Sequence, residues 1–168
     1  MSKVKNEPTV KFPLIVAVRE QLEHRALWMY LIQDEAKKKG YDPEEFVPAA
    51  IRRCGLYQGP LLVKKGGMGK NMKGFKKSLF GFFAQKVFEM DVKRVDDDHL
   101  DLDFHYCPLV KAWQKQGCSD EEIAKLCDYA MCGDHALGEC FGGHLDLKSA
   151  IAHGDETCQL RFVRDNKE

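Results

Sequence analysis

The hydrophobic period of this chain changes near Phe88, and that change constrains its fold class more than any other feature. Upstream, Leu14, Ile15, Val18, Leu22, Leu27, Tyr30 and Leu31 recur close to helical spacing between Pro13 and Lys39, with charged residues between them and Gly40 closing the run. That pattern predicts one long amphipathic helix. Downstream, Phe88, Met90 and Val92 alternate in one run and Leu100, Leu102, Phe104 and Tyr106 in the next, with "DDDH" between them. Alternation on both sides of a turn predicts a β-hairpin with one apolar face.

The remaining elements follow from local chemistry. Asp42-Pro43-Glu44-Glu45 has a capping residue, a first-turn proline and acids at the positive helix end, so it predicts a second helix running to about Arg53 or Cys54. The stretch "GPLLVKKGGMGKNMKGFKK" is rich in glycine and lysine but lacks the Gly-Lys-Ser/Thr ending of a phosphate loop. It reads as a mobile basic loop before a helix carrying Phe75, Leu79, Phe80, Phe82 and Phe83, a cluster suited to a core or to an aromatic-lined pocket. Pro108 opens a short helix with Leu109, Val110 and Trp113 inward. Ser119 and Glu122 have capping-box spacing, so another helix follows, with "CGDHALGEC" at its C-terminal end or on the next turn. Two strands joined at His153-Gly154-Asp155-Glu156 end the chain. The expected class is α+β, with N-terminal helices packed on a C-terminal antiparallel sheet and helices inserted between its hairpins.

The 168 residues suit a single domain spanning 1–168. Lys+Arg and Asp+Glu both number 26, and this balance argues against nucleic acid as the main partner and suits a small-molecule substrate or a protein partner better. The apolar run near the start is interrupted by Arg19 and Glu20, which argues against a signal peptide, and no run reaches membrane-spanning length. Seven cysteines, an odd number, favour free thiols in a reducing compartment. The expectation is a cytoplasmic protein with no membrane partner; a homo-oligomer is compatible with it.

Several of those thiols sit near acids or imidazoles. On the strand from Leu100 to Cys107, alternation groups Asp101, Asp103, His105 and Cys107 on the face opposite the apolar one. One wet face is normal in an antiparallel sheet, but Cys107 ends the strand just before a helix, where amide N–H groups favour a thiolate. Cys132, Asp134 and His135 combine a thiol with groups able to take or orient its proton; a buried cysteine with helix-end caps is the plainer alternative. His153 and Cys158 flank the final turn, where strand ends come close. No Cys-x-x-Cys pair is present, so the zinc signal is weak. No cofactor is expected, with a metal held by Cys and His left open.

The pattern "FHYCPLVKAW", then "CGDHA", then "HGDETCQLRF" resembles the L-2-amino-thiazoline-4-carboxylic acid hydrolase family. In that family a cysteine follows a strand, a Cys/Asp element comes about two dozen residues later, and a Gly-Asp-x-x-Cys closes the domain. These fall on Cys107, on Cys132 with Asp134, and on Gly154, Asp155 and Cys158. The segment "GYDPEEFVPAAIRRCG" resembles the family's upstream helix. Gln159 and Leu160 stand where the family often has Asp-Phe, and Ala150, beside Ser149, stands where a hydroxyl is expected, so the resemblance leaves the substrate itself open. It implies hydrolytic opening of a cyclic amidine, with Cys107, Cys132, Asp134 and His135 as catalytic candidates and His153, Asp155 and Cys158 at the substrate. Either a thiolate attacks, with Asp134 or His135 moving the proton, or a Cys/His-held metal ionises water; the thiol route is favoured. A substrate carboxylate would need an anchor such as Arg161 or a helix N-terminus. The closing motif is also similar to small-molecule-binding domains of the 4-vinyl reductase type, which supplies the rival reading of a sensor without chemistry.

Overall fold

Pro13 opens the first helix, α1 (Pro13–Lys38), where its missing N–H is no loss. Gly40, at φ +81°, turns the chain after it. The computed structural model describes residues 2–165. After α1 comes a 3-10 turn at Pro43–Glu45, capped by Asp42, which accepts the Glu44 N–H at 3.0 Å. The order continues with α2 (Val47–Gly66), α3 (Met72–Leu79), α4 (Phe82–Val87), β1 (Met90–Val95), β2 (His99–Phe104), α5 (Pro108–Lys115), α6 (Asp120–Cys140) and β3 (Gly143–Ser149). A second 3-10 turn (Ile151–His153) and β4 (Cys158–Arg164) complete it. The strands lie in the order β1-β2-β4-β3, every neighbouring pair antiparallel, so the class is α+β.

The register follows from burial. Leu100, Leu102 and Phe104 of β2 stand opposite Phe162, Leu160 and Cys158 of β4, and all six are buried. α3 closes this face with Phe75, whose ring stacks on Phe141 at 4.3 Å and meets Phe162 edge-on at 4.9 Å. The outer face is polar: Arg161 Nη2 donates to Asp103 at 2.6 Å, and His105 pairs with Asp91 at 3.2 Å. Ser119 and Glu122 form the expected capping box at the start of α6. Among the described residues no helix is long and apolar enough to cross a membrane.

Two expectations need correction. The second helix does not stop near Cys54 but runs on to Gly66, because its glycines are contact surfaces and not breakers. A Cβ on Gly55 would lie 2.5 Å from the Gly133 carbonyl of α6, and one on Gly59 would collide with Cys140 Sγ. These positions let α2 and α6 approach closely, and the basic loop shrinks to the few residues between α2 and α3. The phenylalanines lie on two helices rather than one. Phe75 and Phe80 are buried, whereas Phe82 and Phe83 on α4 are exposed.

Candidate active site

Cys107 is the N-cap of α5, three residues past the end of β2, and there its side chain faces inward. This corrects the expectation that it shares the outer face with Asp101 and Asp103. The cause lies in the backbone. Asn6, itself buried, donates through Nδ2 to the Cys107 carbonyl and accepts the Cys107 N–H on Oδ1, each at 2.8 Å. The N-terminal segment thereby sets the angle at which the chain leaves β2 and enters α5.

The Cys107 thiol lines a cavity of about 250 Å³ enclosed by α1, α2, α3, α4, α5, α6 and the inner face of the sheet. Cys127, Asp134 and Cys158 line the same cavity, with Arg25 from α1 and Gln58 from α2. A second compartment of about 190 Å³ lies between α1, α2 and α6. It shares Arg25, Gln58, Leu109, Ala130, Asp134 and Leu137 with the first, so these residues form the waist of one two-chambered cleft.

The electrostatics distinguish the groups. Burial raises Asp134 to about 6, against the pull of Arg25, so its carboxyl titrates near neutrality. Burial pushes the Cys107 thiol up; the Val110 and Leu109 amides at the start of α5 pull it back, Asp134 adds to the rise and Arg25 opposes it. Cys158 is pushed up to about 12, first by burial and then by Cys107, although the Ile151 N–H donates to its sulfur at 3.3 Å. Burial drives Cys127 strongly upward, with Cys107 and Cys158 adding to it. Of the three cavity thiols, Cys107 alone sits where a helix N-terminus favours the thiolate. Arg25 forms no hydrogen bond or ion pair among the described residues, leaving its guanidinium free at the waist.

The family model of L-2-amino-thiazoline-4-carboxylic acid hydrolase matches residues 19–162. The chain belongs to this family. No curated protein and no solved structure matches it.

Of the residues singled out from the aminothiazoline hydrolase motifs, the structure brings Cys107, Asp134 and Cys158 to one cavity. Cys132 does not line it. Its half-buried thiol donates to the Asp128 carbonyl one turn back, at 3.6 Å. His135, next to Asp134 on α6, is exposed and does not line it either. On a helix, adjacent side chains diverge by about 100°, so sequence neighbours separate. His153 and Asp155 also lie outside the cavity: His153 Nε2 pairs with Asp128 Oδ1 at 2.9 Å, and Asp155 accepts the Ala150 N–H at 2.9 Å. The closing Gly-Asp-x-x-Cys motif is thus a turn-building device. Gly154 takes φ +94°, Asp155 ties the turn, and Cys158 accepts the Ile151 amide while facing the cavity. Arg161 is occupied by Asp103 and the Leu102 and Leu160 carbonyls.

Sequence reasoning missed Cys127, Arg25 and Gln58 as cavity residues. Cys127 carried one legible signal, lying seven residues before Asp134 and hence on the same face of α6. Among the described residues no three His, Cys, Asp or Glu side chains are placed to hold a metal ion.

Proposed function

We propose that this chain is a hydrolase that opens a small cyclic amidine such as 2-aminothiazoline-4-carboxylate, with Cys107 as nucleophile. The observation that carries the reading is that Cys107, Asp134 and Arg25 line one cavity. A nucleophile, a group titrating near neutral pH and a free cation for a carboxylate are what this reaction requires.

At neutral pH Asp134 is largely ionised and takes the Cys107 proton as sulfur adds to the ring carbon between sulfur and nitrogen. The carbon–nitrogen π pair moves to the ring nitrogen. Asp134 returns its proton there; the lone pair of the exocyclic nitrogen then forms a new carbon–nitrogen double bond as the ring carbon–nitrogen bond breaks, and the proton that the exocyclic nitrogen sheds passes to the departing nitrogen, opening the ring as a primary amine. Water then adds to the same carbon and Cys107 leaves as thiolate, so one water is consumed and the product is a carbamoyl thioester. Arg25 holds the carboxylate throughout, and Cys158 and Cys127, both strongly raised, stay protonated.

The test is incubation of the purified protein with 2-aminothiazoline-4-carboxylate, following ring-opened product. Turnover should vanish in Cys107→Ala, fall by roughly 10²-fold or more in Asp134→Asn, and persist in Cys132→Ala. Turnover unchanged in Cys107→Ala rules out the thiol route. The rival reading, a binding module without chemistry, draws support from the apolar remainder of the cavity, which includes Phe80, Phe88, Phe104 and Leu160. Saturable binding with no product would favour it.

A further inference from the structure

The two chambers differ in chemistry. Arg25, Gln58 and Asp134 give the shared waist its polar groups, beside Leu109, Ala130 and Leu137, whereas Phe80, Ala84, Phe88 and Phe104 line only the larger chamber. The rings of Phe88 and Phe104 lie 5.1 Å apart and those of Phe80 and Phe104 6.4 Å apart, so they form one continuous aromatic wall. That wall adjoins the thiol end of the cavity, since Phe104 stands opposite Cys158 in the sheet and three residues before Cys107. A bare aminothiazoline carboxylate has only its short S–CH2 edge to set against this surface, and the rest of it is polar. Polar groups set against it would lose water without gaining partners.

Resting on the function proposed above, we infer that the true substrate carries an apolar group on the exocyclic nitrogen of its cyclic amidine, seated against Phe80, Phe88 and Phe104. Orientation decides the position of that group. With the ring carboxylate on Arg25 and the amidine carbon at Cys107, the exocyclic nitrogen points away from the waist and toward the aromatic wall. Alkyl or aryl chains suit this chamber, which is large enough to hold several atoms beyond the ring. Each methylene buried there strengthens binding roughly fourfold.

The experiment compares 2-aminothiazoline-4-carboxylate with its N-butyl derivative. Binding is measured by calorimetry on the Cys107→Ser protein, and ring opening on the wild type. The butyl ligand should bind at least about tenfold more tightly, and Ala84→Leu, which fills the chamber from α4, should reduce that ratio to below about threefold. Equal or weaker binding of the butyl ligand overturns the inference, as does a ratio that Ala84→Leu leaves unchanged. Should Cys107→Ser misfold, the wild-type ratio of KM values gives the same comparison. Turnover separates the two claims. A bare ring that is opened, and bound more tightly than the butyl ligand, leaves the hydrolase reading standing without this one. Tighter butyl binding with neither ring opened supports the apolar chamber and removes the hydrolase.

Discussion

Asn6 and Cys107 exchange two hydrogen bonds of 2.8 Å, one from each partner, although they lie 101 residues apart. Asn6 Oδ1 satisfies the Cys107 N–H at the strand-to-helix junction, and Asn6 Nδ2 adds a second donor to a carbonyl that also accepts the Lys111 N–H of α5 at 3.1 Å. The rest of the N-terminal segment is tied down along the same edge. Gln114 Nε2 donates to the Val4 carbonyl at 3.0 Å, and Glu89 accepts the Thr9 and Val10 amides at 2.7 and 2.8 Å.

Asn6→Ala leaves the Cys107 N–H without its partner, while the Cys107 carbonyl keeps the Lys111 N–H. Leaving that N–H unsatisfied costs about 1–3 kcal/mol, measured by urea unfolding. If the proposed chemistry holds, turnover should fall by more than binding does, because the truncation loosens the nucleophile and not the anchor. A variant with unchanged midpoint and turnover shows that the fork does not position Cys107.

The α2–α6 contact makes a sharper stability prediction. Gly59→Ala brings a methyl group against Cys140 Sγ, a side chain, whereas Gly55→Ala meets the backbone carbonyl of Gly133 at 2.5 Å. Each should destabilise by about 1–3 kcal/mol. Adding Cys140→Gly, which removes both its Sγ and the Cβ that would lie 2.5 Å from the new methyl group, should recover much of the loss at Gly59 and none at Gly55, where the obstacle is backbone. Equal rescue at both positions would contradict this geometry.

The fold class and the Cys107–Asp134–Cys158 grouping were legible for different reasons. Period reports which face of an element is buried, so the switch near Phe88 foretold the hairpin and Ser119 foretold α6. The true end of α2 was not legible, since a glycine that ends a helix and one, such as Gly55 or Gly59, that lets two helices touch look alike without the partner helix. The family resemblance gathered three of the cavity residues, but adjacency wrongly suggested His135 beside Asp134, because a helix turns neighbours apart. Arg25 was invisible for a deeper reason. It lies on an otherwise ordinary amphipathic helix, and only the gap between α1 and α2 gives it a role.

Asp134 ties stability to pH. Its folded-state value of about 6 lies above the ordinary carboxylate range, so the native state holds a proton that the unfolded chain has released between about pH 4 and 6. Burial of this group is therefore without penalty below about pH 4, and stability falls as pH rises through 6. Asp134→Asn should be more stable than wild type at pH 7, by roughly 1–3 kcal/mol, with the gain vanishing toward pH 4. Unfolding midpoints at the two pH values provide the check. A gain that persists at low pH would assign the effect to something other than the carboxylate charge.

Opposite effects on the Cys107 thiol follow from its two charged neighbours. Negative charge on Asp134 opposes the thiolate and positive charge on Arg25 favours it. The pH midpoint for alkylation of Cys107 by iodoacetamide, read by mass spectrometry of its peptide, should therefore move down in Asp134→Asn and up in Arg25→Ala. Cys132 supplies the internal control. Its thiol is raised by burial, and the charges acting on it are those of Arg52 and Asp128, so its midpoint should stay fixed in both variants. Movement of both cysteines together would indicate a general loosening of α6. A fixed Cys107 midpoint in both variants would mean that neither Asp134 nor Arg25 acts on the nucleophile, and the proposed proton path would lose its carrier.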